Sequence, residues 1–184
     1  GISGDVDSSD NVLTLTRARL PWLLIGLLGG ILGARVIELY EGDLQLYPEM
    51  AFFIPLIAAM GGNAGVQSSA IIVQGLATKS MGMSGILPKL GKEFMVGLLN
   101  GLVCAVIIFG YNMIFGDSLA LSYTVSLALL SVIIIATLFG TFVPLILDKY
   151  DIDPALATGP FITTVNDVLG LFIYFIIGHL LYIA

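Results

Sequence analysis

The chain has 184 residues, of which 58% are hydrophobic and 11% charged, and its mean hydropathy is +1.03. Because a soluble domain is about 25% charged, this composition excludes an ordinary water-soluble domain and indicates an integral membrane protein. The net charge of −6 argues against a nucleic-acid partner, since such binders carry basic patches. The single cysteine, Cys104, excludes both an intrachain disulfide and a thiolate metal cluster.

Five apolar segments follow a polar stretch over residues 1–16. A membrane span needs about 20 apolar residues to cross a hydrocarbon core of roughly 30 Å, and every segment is long enough. We therefore predict an all-α integral membrane fold with five spans, in which residues 1–16 form a polar tail or linker and residues 17–184 form the membrane domain. The spans are predicted at about 20–40, 50–77, 87–115, 121–147 and 154–183.

The basic residues predict the orientation of these spans, because loops rich in Lys and Arg stay on the cytoplasmic side of a membrane. With the N-terminus inside and the C-terminus outside, six of the seven basic residues fall on the cytoplasmic side. The exception is Arg35, which would either extend its side chain to the membrane surface or pair with Glu38 one turn later. We expect a multi-pass protein of the plasma or inner membrane. The six residues are Arg17, Arg19, Lys79, Lys89, Lys92 and Lys149.

The second span contains three glycines within five residues, in the segment GGNAGVQ at 61–67. With Pro55 just upstream, this segment predicts a broken or loosened helix, which membranes tolerate only where it is buried in protein or lines a wet cavity. Freed carbonyls, including that of Gly62, and the amide oxygen of Asn63 would then be ligands for a hard cation. The alternative is a close contact between helices through small residues.

Asp167 lies near the middle of the fifth span, where an ionisable group is costly and is a candidate for function. Thr163 stands four residues earlier on the same helix face, so its hydroxyl and the Asp167 carboxylate form a stripe of oxygen atoms. Asn166 is adjacent and would face either this stripe or a neighbouring helix. The alternative is an aspartate that only holds helices together.

These groups predict a hard cation as the ligand. With one histidine and one cysteine in the chain, the available donors are oxygen atoms, which suit Mg²⁺, Ca²⁺, Na⁺ or K⁺ better than transition metals. Mg²⁺ keeps several waters and contacts few carboxylates, and a twofold dimer would present two copies of Asp167 to one ion. A homodimeric pore is our hypothesis. No P-loop, HExxH motif or nucleophile–base pair is present, so no enzyme activity is predicted.

The loop at 147–153 carries three carboxylates, including Asp153. On the predicted cytoplasmic side they would concentrate cations at the mouth of a pore. An ordinary solvated loop is the alternative.

Three groups of residues, in order along the chain, resemble the membrane domain of MgtE-type magnesium channels. They are RLPWL at 19–23, Pro55 followed by GGNAGVQ at 61–67, and the series DPA at 153–155, GPF at 159–161 and TVND at 164–167. The resemblance extends over about residues 17–184, and three motifs in this order are more specific than any one alone.

This resemblance implies a homodimer of five-helix protomers that conducts hydrated Mg²⁺ through a pore on the twofold axis. Asp167 matches the aspartate of the central ion site, and Gly62 and Asn63 match residues of the pore wall. Asp153 matches a residue near the cytoplasmic mouth that takes part in Mg²⁺-dependent closure. MgtE proteins commonly carry an acidic domain, paired CBS domains and a plug helix before the membrane part. Two alternatives follow: cytosolic regulatory domains outside this chain are partners of the membrane domain, or the protein is a short relative that is regulated otherwise.

Two other functions remain open from the sequence. A Na⁺- or H⁺-coupled Mg²⁺ exporter on the same helices is one, because related animal solute carriers are described as exchangers and a buried carboxylate can carry a proton. A structural membrane subunit that conducts nothing is the other.

Overall fold

The computed structural model describes residue 7 and residues 9–79, 85–116, 118–157 and 159–182, and most of these residues are helical. Two 3₁₀ helices, at Pro48–Phe53 and Pro154–Ala157, separate longer elements, and these ranges contain no strand. The six α-helices are α1 (Val12–Leu39), α2 (Glu41–Leu46), α3 (Ile54–Ala77), α4 (Ile86–Phe115), α5 (Leu119–Lys149) and α6 (Pro160–Tyr182).

Five of the described helices are long and apolar enough to cross a membrane. They have 22 to 31 residues each, and α3 with its preceding 3₁₀ helix forms one of them, Pro48–Ala77. The predicted all-α fold with five apolar spans is thereby confirmed, and the chain is a multi-pass integral membrane protein. The short helix α2 lies between the first and second spans.

Local capping explains where two of the spans begin. The Thr14 backbone N–H donates to Asn11 Oδ1 (2.9 Å), so α1 begins at Val12, eight residues before the predicted start of the span. At the other site, the Asp153 carboxylate accepts a hydrogen bond from the Ala155 backbone N–H (2.9 Å) and Gly159 has a φ of 69°. This backbone interrupts the segment predicted to be helical from 154, so α6 begins at Pro160.

The predicted break in the second span is wrong, because α3 is an uninterrupted α-helix from Ile54 to Ala77. Pro55 lies in its first turn, where the missing N–H removes no helical hydrogen bond. The glycines at 61, 62 and 65 instead lie buried against neighbouring helices. The alternative, a close helix contact through small residues, is what the structure contains.

Helices α3, α5 and α6 form the centre of the bundle, while α1 packs on α6 and α4 packs on α5. Glycines permit the outer contacts: Gly29 of α1 lies against Thr164, and Gly101 of α4 lies against Leu130. In the centre, the Tyr174 hydroxyl donates to the backbone oxygen of Met50 (2.9 Å), and both residues are fully buried. Leucine and isoleucine side chains on the outer faces of α1 and α4 are exposed, as suits contact with lipid.

Because successive spans alternate in direction, the charges separate between the two ends of the bundle. We call the end that carries Glu38, Glu41, Asp43 and Glu49 the acidic end, and the opposite end, which carries Arg17, Lys92 and Lys149, the basic end. At the acidic end, His179 Nδ1 lies 2.9 Å from Asp43 Oδ2, and Arg35 forms its predicted pair with Glu38 (2.6 Å). Which end faces the cytoplasm stays a prediction.

Candidate cation site

Asp167 lies in the membrane-spanning part of α6, close against α3. Its side chain is half-buried, and no hydrogen bond or ion pair joins it to any residue that the structure describes. A Cβ atom at Gly62 of α3 would lie 2.8 Å from Asp167 Oδ1. The absence of a side chain at Gly62 is therefore what leaves room for the carboxylate at this depth.

On its other side, Asp167 borders a cavity of about 300 Å³ between α6 and α1. Since liquid water occupies roughly 30 Å³ per molecule, the cavity has room for a cation that keeps several waters. A Cβ at Gly26 or Gly30 would meet no atom within 4 Å, so these two positions border open space. Its small or hydroxyl-bearing lining residues include Gly26, Gly29, Gly30, Gly33, Ala34 and Thr164.

Thr163 lies beside the same glycine, as the predicted stripe requires. Its Cγ2 would be 3.7 Å from a Cβ at Gly62, so Gly62, Thr163 and Asp167 meet at one point of the α3–α6 contact. The Thr163 hydroxyl donates within its own helix, to the backbone oxygens of Pro160 (3.1 Å) and Gly159 (3.3 Å). Its oxygen keeps the capacity to accept a hydrogen bond from water.

Asn166 faces a different and closed part of the same contact. Its side chain is 2% exposed, and neither Oδ1 nor Nδ2 has a hydrogen-bond partner within the described ranges. A Cβ at Gly65 would collide with Asn166 Nδ2. Asn166 does not border the cavity beside Asp167.

The structure separates Asn63 and Asp153 from Asp167 within one protomer. Asn63 is exposed and lines a second cavity, of about 630 Å³, between α3, α4 and α5. Gln67 of α3 and Asn100 of α4 line the same cavity. Asp153 is exposed in the segment between α5 and α6, where its carboxylate caps the short 3₁₀ helix. Of the six predicted residues, Gly62, Thr163 and Asp167 therefore come together. The other three, Asn63, Asp153 and Asn166, lie elsewhere.

The glycines of α1 are the part of this site that sequence reasoning missed. Gly26, Gly29, Gly30 and Gly33 follow the i, i+3, i+4, i+7 spacing of one helix face. That spacing is a signal the sequence does contain, but it does not say which helix the face meets.

The donors around Asp167 suit a hydrated ion better than a dehydrated one. Across the described chain no group of three or more His, Cys, Asp and Glu side chains could together hold a metal ion. One carboxylate beside threonine hydroxyls matches the way Mg²⁺ is bound, through few carboxylates and several retained waters.

Comparisons with known proteins match most of the chain. A family model described as MgtE, divalent cation transporter, matches residues 54–177. The magnesium transporters MgtE of Bacillus subtilis, Enterococcus faecalis and Thermus thermophilus are 39%, 37% and 33% identical over 93%, 98% and 97% of this chain. The matched regions are 38%, 40% and 41% of those proteins, so the chain spans about two fifths of the length of these relatives.

Proposed function

The chain belongs to the MgtE family of divalent cation transporters, and we propose that it moves Mg²⁺ across the membrane with Asp167 as the central ion-binding group. Hydrated Mg²⁺ enters the cavity between α1 and α6, where the carboxylate contacts it through water. Gly62 provides the space for this carboxylate, and Thr164, which lines the cavity, accepts a hydrogen bond from the ion's water shell. Thr163 lies beside Gly62, outside the cavity lining, and reaches that water shell only past the carboxylate.

The observation that supports this proposal is that the Asp167 carboxylate has no partner among the described residues and borders a cavity. A carboxylate at membrane depth is expensive to bury unless it is paired, and Asp167 has no hydrogen bond or ion pair to the described residues. It borders open space instead. A cation with its waters is the partner that offsets this cost.

A homodimer completes the proposed pore. One carboxylate neutralises half of the charge of a divalent ion, and a twofold axis near Asp167 supplies a second carboxylate. The exposed amides of Asn63 and Gln67 on α3 support this arrangement. Amides facing lipid would lose their hydrogen bonds to water, so a second protomer covers them. A place for Asn63 in the pore wall is what the resemblance implies.

Asn166 and Asp153 lie away from the central ion-binding group. Asn166 reaches the ion's water shell only if the α3–α6 contact opens, because its amide is enclosed at Gly65. Asp153, exposed at the basic end, attracts cations to the mouth of the pore. Regulatory domains of the kind found in MgtE proteins act on that mouth.

The test is Mg²⁺ flux into proteoliposomes under a Mg²⁺ gradient, with Na⁺ and pH held equal on both sides. We expect wild type to conduct Mg²⁺ and the flux through Asp167→Asn to be at least about tenfold lower, since a charged side chain in the pore sets cation selectivity. Glu38→Gln is the matched control, because it removes one carboxylate charge from an exposed side chain at the acidic end.

Each other result has a definite meaning. Equal flux in wild type and Asp167→Asn would make Asp167 a packing residue and would contradict the proposed site. Flux that starts only when a Na⁺ or proton gradient is imposed would replace the channel with a coupled carrier.

A further inference from the structure

A third cavity lies at the acidic end, away from Asp167. It measures about 480 Å³ and lies where the second span begins, α4 ends and α5 begins. Four aromatic and three polar side chains are among the residues that line it. The aromatic residues are Phe52, Phe53, Tyr111 and Phe115, and the polar ones are Glu49, Asn112 and Ser118.

Asn112 is the residue that indicates a ligand. Its side chain is 3% exposed and lines the cavity, and its Nδ2 amide has no hydrogen-bond partner in the described part of the chain. Its backbone oxygen accepts from the Gly116 N–H (2.8 Å), which fixes the residue in the last turn of α4. A buried N–H donor without an acceptor is costly, so an occupant with an acceptor oxygen would be favoured.

The rim of the cavity carries exposed aromatic side chains at the end of the spans. Phe52, Tyr111 and Phe115 are 78%, 52% and 71% exposed, and the rings of Tyr111 and Phe115 lie 5.1 Å apart. Exposed aromatic rings at the end of a span are typical of the membrane–water interface. The ester groups of phospholipids lie at this depth, and their carbonyl oxygens are hydrogen-bond acceptors.

The carboxylates around the cavity decide which phospholipid headgroup would be favoured there. Glu49 lines the cavity, and Glu38, Glu41 and Asp43 lie at the same end. Arg35, the arginine that the structure describes there, is already paired with Glu38, and the ring of His179 lies against Asp43. An anionic headgroup would be repelled, whereas an ammonium group would be attracted to the carboxylates and to the faces of the aromatic rings.

We propose that this cavity binds a zwitterionic aminophospholipid. An ester carbonyl of the lipid accepts a hydrogen bond from Asn112 Nδ2, and an acyl chain packs against Tyr111 and Phe115. The ammonium group lies on the side of Glu49. This site is independent of Mg²⁺ transport.

The experiment is native mass spectrometry of the delipidated chain after incubation with dioleoyl phosphatidylethanolamine or dioleoyl phosphatidylglycerol. We expect wild type to retain the ethanolamine lipid, and we expect the lipid-bound fraction of Asn112→Leu to be at least about fivefold lower. Asn100→Leu is the matched control, since it makes the same change in the same helix outside this cavity. It should retain the lipid as wild type does.

A thermal unfolding measurement without lipid separates binding from folding. Because Leu removes an unpartnered buried amide, the lipid-free Asn112→Leu protein should unfold at the wild-type temperature or above, yet gain no stability when the lipid is added. Unchanged retention by Asn112→Leu, or equal retention of both lipids by wild type, would overturn the proposal. Lipid bound to the monomer but absent from a dimer would also overturn it, by assigning the cavity to a subunit interface.

Discussion

Two consecutive residues of α6 have opposite surroundings. Asn166 is enclosed between α3 and α6, with Gly65 directly against its amide. Asp167, one residue later, is half-buried, lies against Gly62 and borders a cavity. Both are polar and both lie in a membrane span, so residue type alone does not separate them. What separates them is the 100° that one residue turns along a helix.

We call the enclosed α3–α6 contact around Asn166 the closed side and the surroundings of Asp167, which border the cavity, the open side. Glycine has a different role on each. On the closed side it lets backbones touch, as where Gly140 of α5 meets the backbone of Gly65. On the open side it leaves room for a functional group, as Gly62 does for the Asp167 carboxylate. The same residue type therefore stabilises one region and keeps the other accessible.

The largest expected loss of stability comes from filling the closed side. In Gly140→Ala the new methyl group would collide with the backbone oxygen of Gly65, which cannot rotate away. We expect the free energy of unfolding to fall by about 1–3 kcal/mol, measured by titration with SDS. Gly110→Ala is the control, because a Cβ there meets nothing within 4 Å. Equal stability of the two variants would contradict a close α3–α5 contact.

A methyl group on the open side should affect transport more than stability. In Gly62→Ala the Cβ would lie 2.8 Å from Asp167 Oδ1 and would displace the carboxylate, which has space to move. We expect Mg²⁺ flux in proteoliposomes to fall severalfold, with an unfolding free energy within about 1 kcal/mol of wild type. A variant that unfolds readily but conducts normally would show that this side is closed too.

The smallest effect is expected at Asn166. Asn166→Leu removes an amide whose two polar atoms have no partner among the described residues, at similar side-chain volume. Replacing an unsatisfied polar group with an apolar one of similar shape is close to neutral, so stability should change by less than about 1 kcal/mol. Flux should fall far less than in Asp167→Asn. A loss as large as that variant's would make Asn166 an ion ligand and the α3–α6 contact an opening one.

The sequence predicted the five spans and the shared helix face of Thr163 and Asp167, because length, hydropathy and i, i+4 spacing decide these features locally. It linked Gly62 to the same site only through the resemblance to MgtE channels, because a contact between two helices is not decided locally. It did not predict that α3 stays regular. Three close glycines are compatible with a break and with tight packing, and only the neighbouring helices decide between them. Asn63 was grouped with Gly62 because the two are adjacent, yet the helix turns them toward different cavities.

The cavity itself could not be predicted, because it depends on which helices pair. The outer helices are apolar on nearly all faces, so periodicity does not show that the glycines of α1 meet α6. The start of α6 was misplaced for a local reason: the backbone at Gly159, with its positive φ, follows a Pro-Ala motif that also suits a helix start.

The pairing of α1 with α6 has a consequence for biosynthesis. Gly29 contacts Thr164, which follows it by 135 residues, so the first of the five spans described here packs against the fifth. At roughly 5–20 residues per second, synthesis of the intervening chain takes on the order of ten seconds. Throughout that interval the glycine face of α1 is covered by lipid or by the insertion machinery, and the cavity beside Asp167 forms only after α6 has been made.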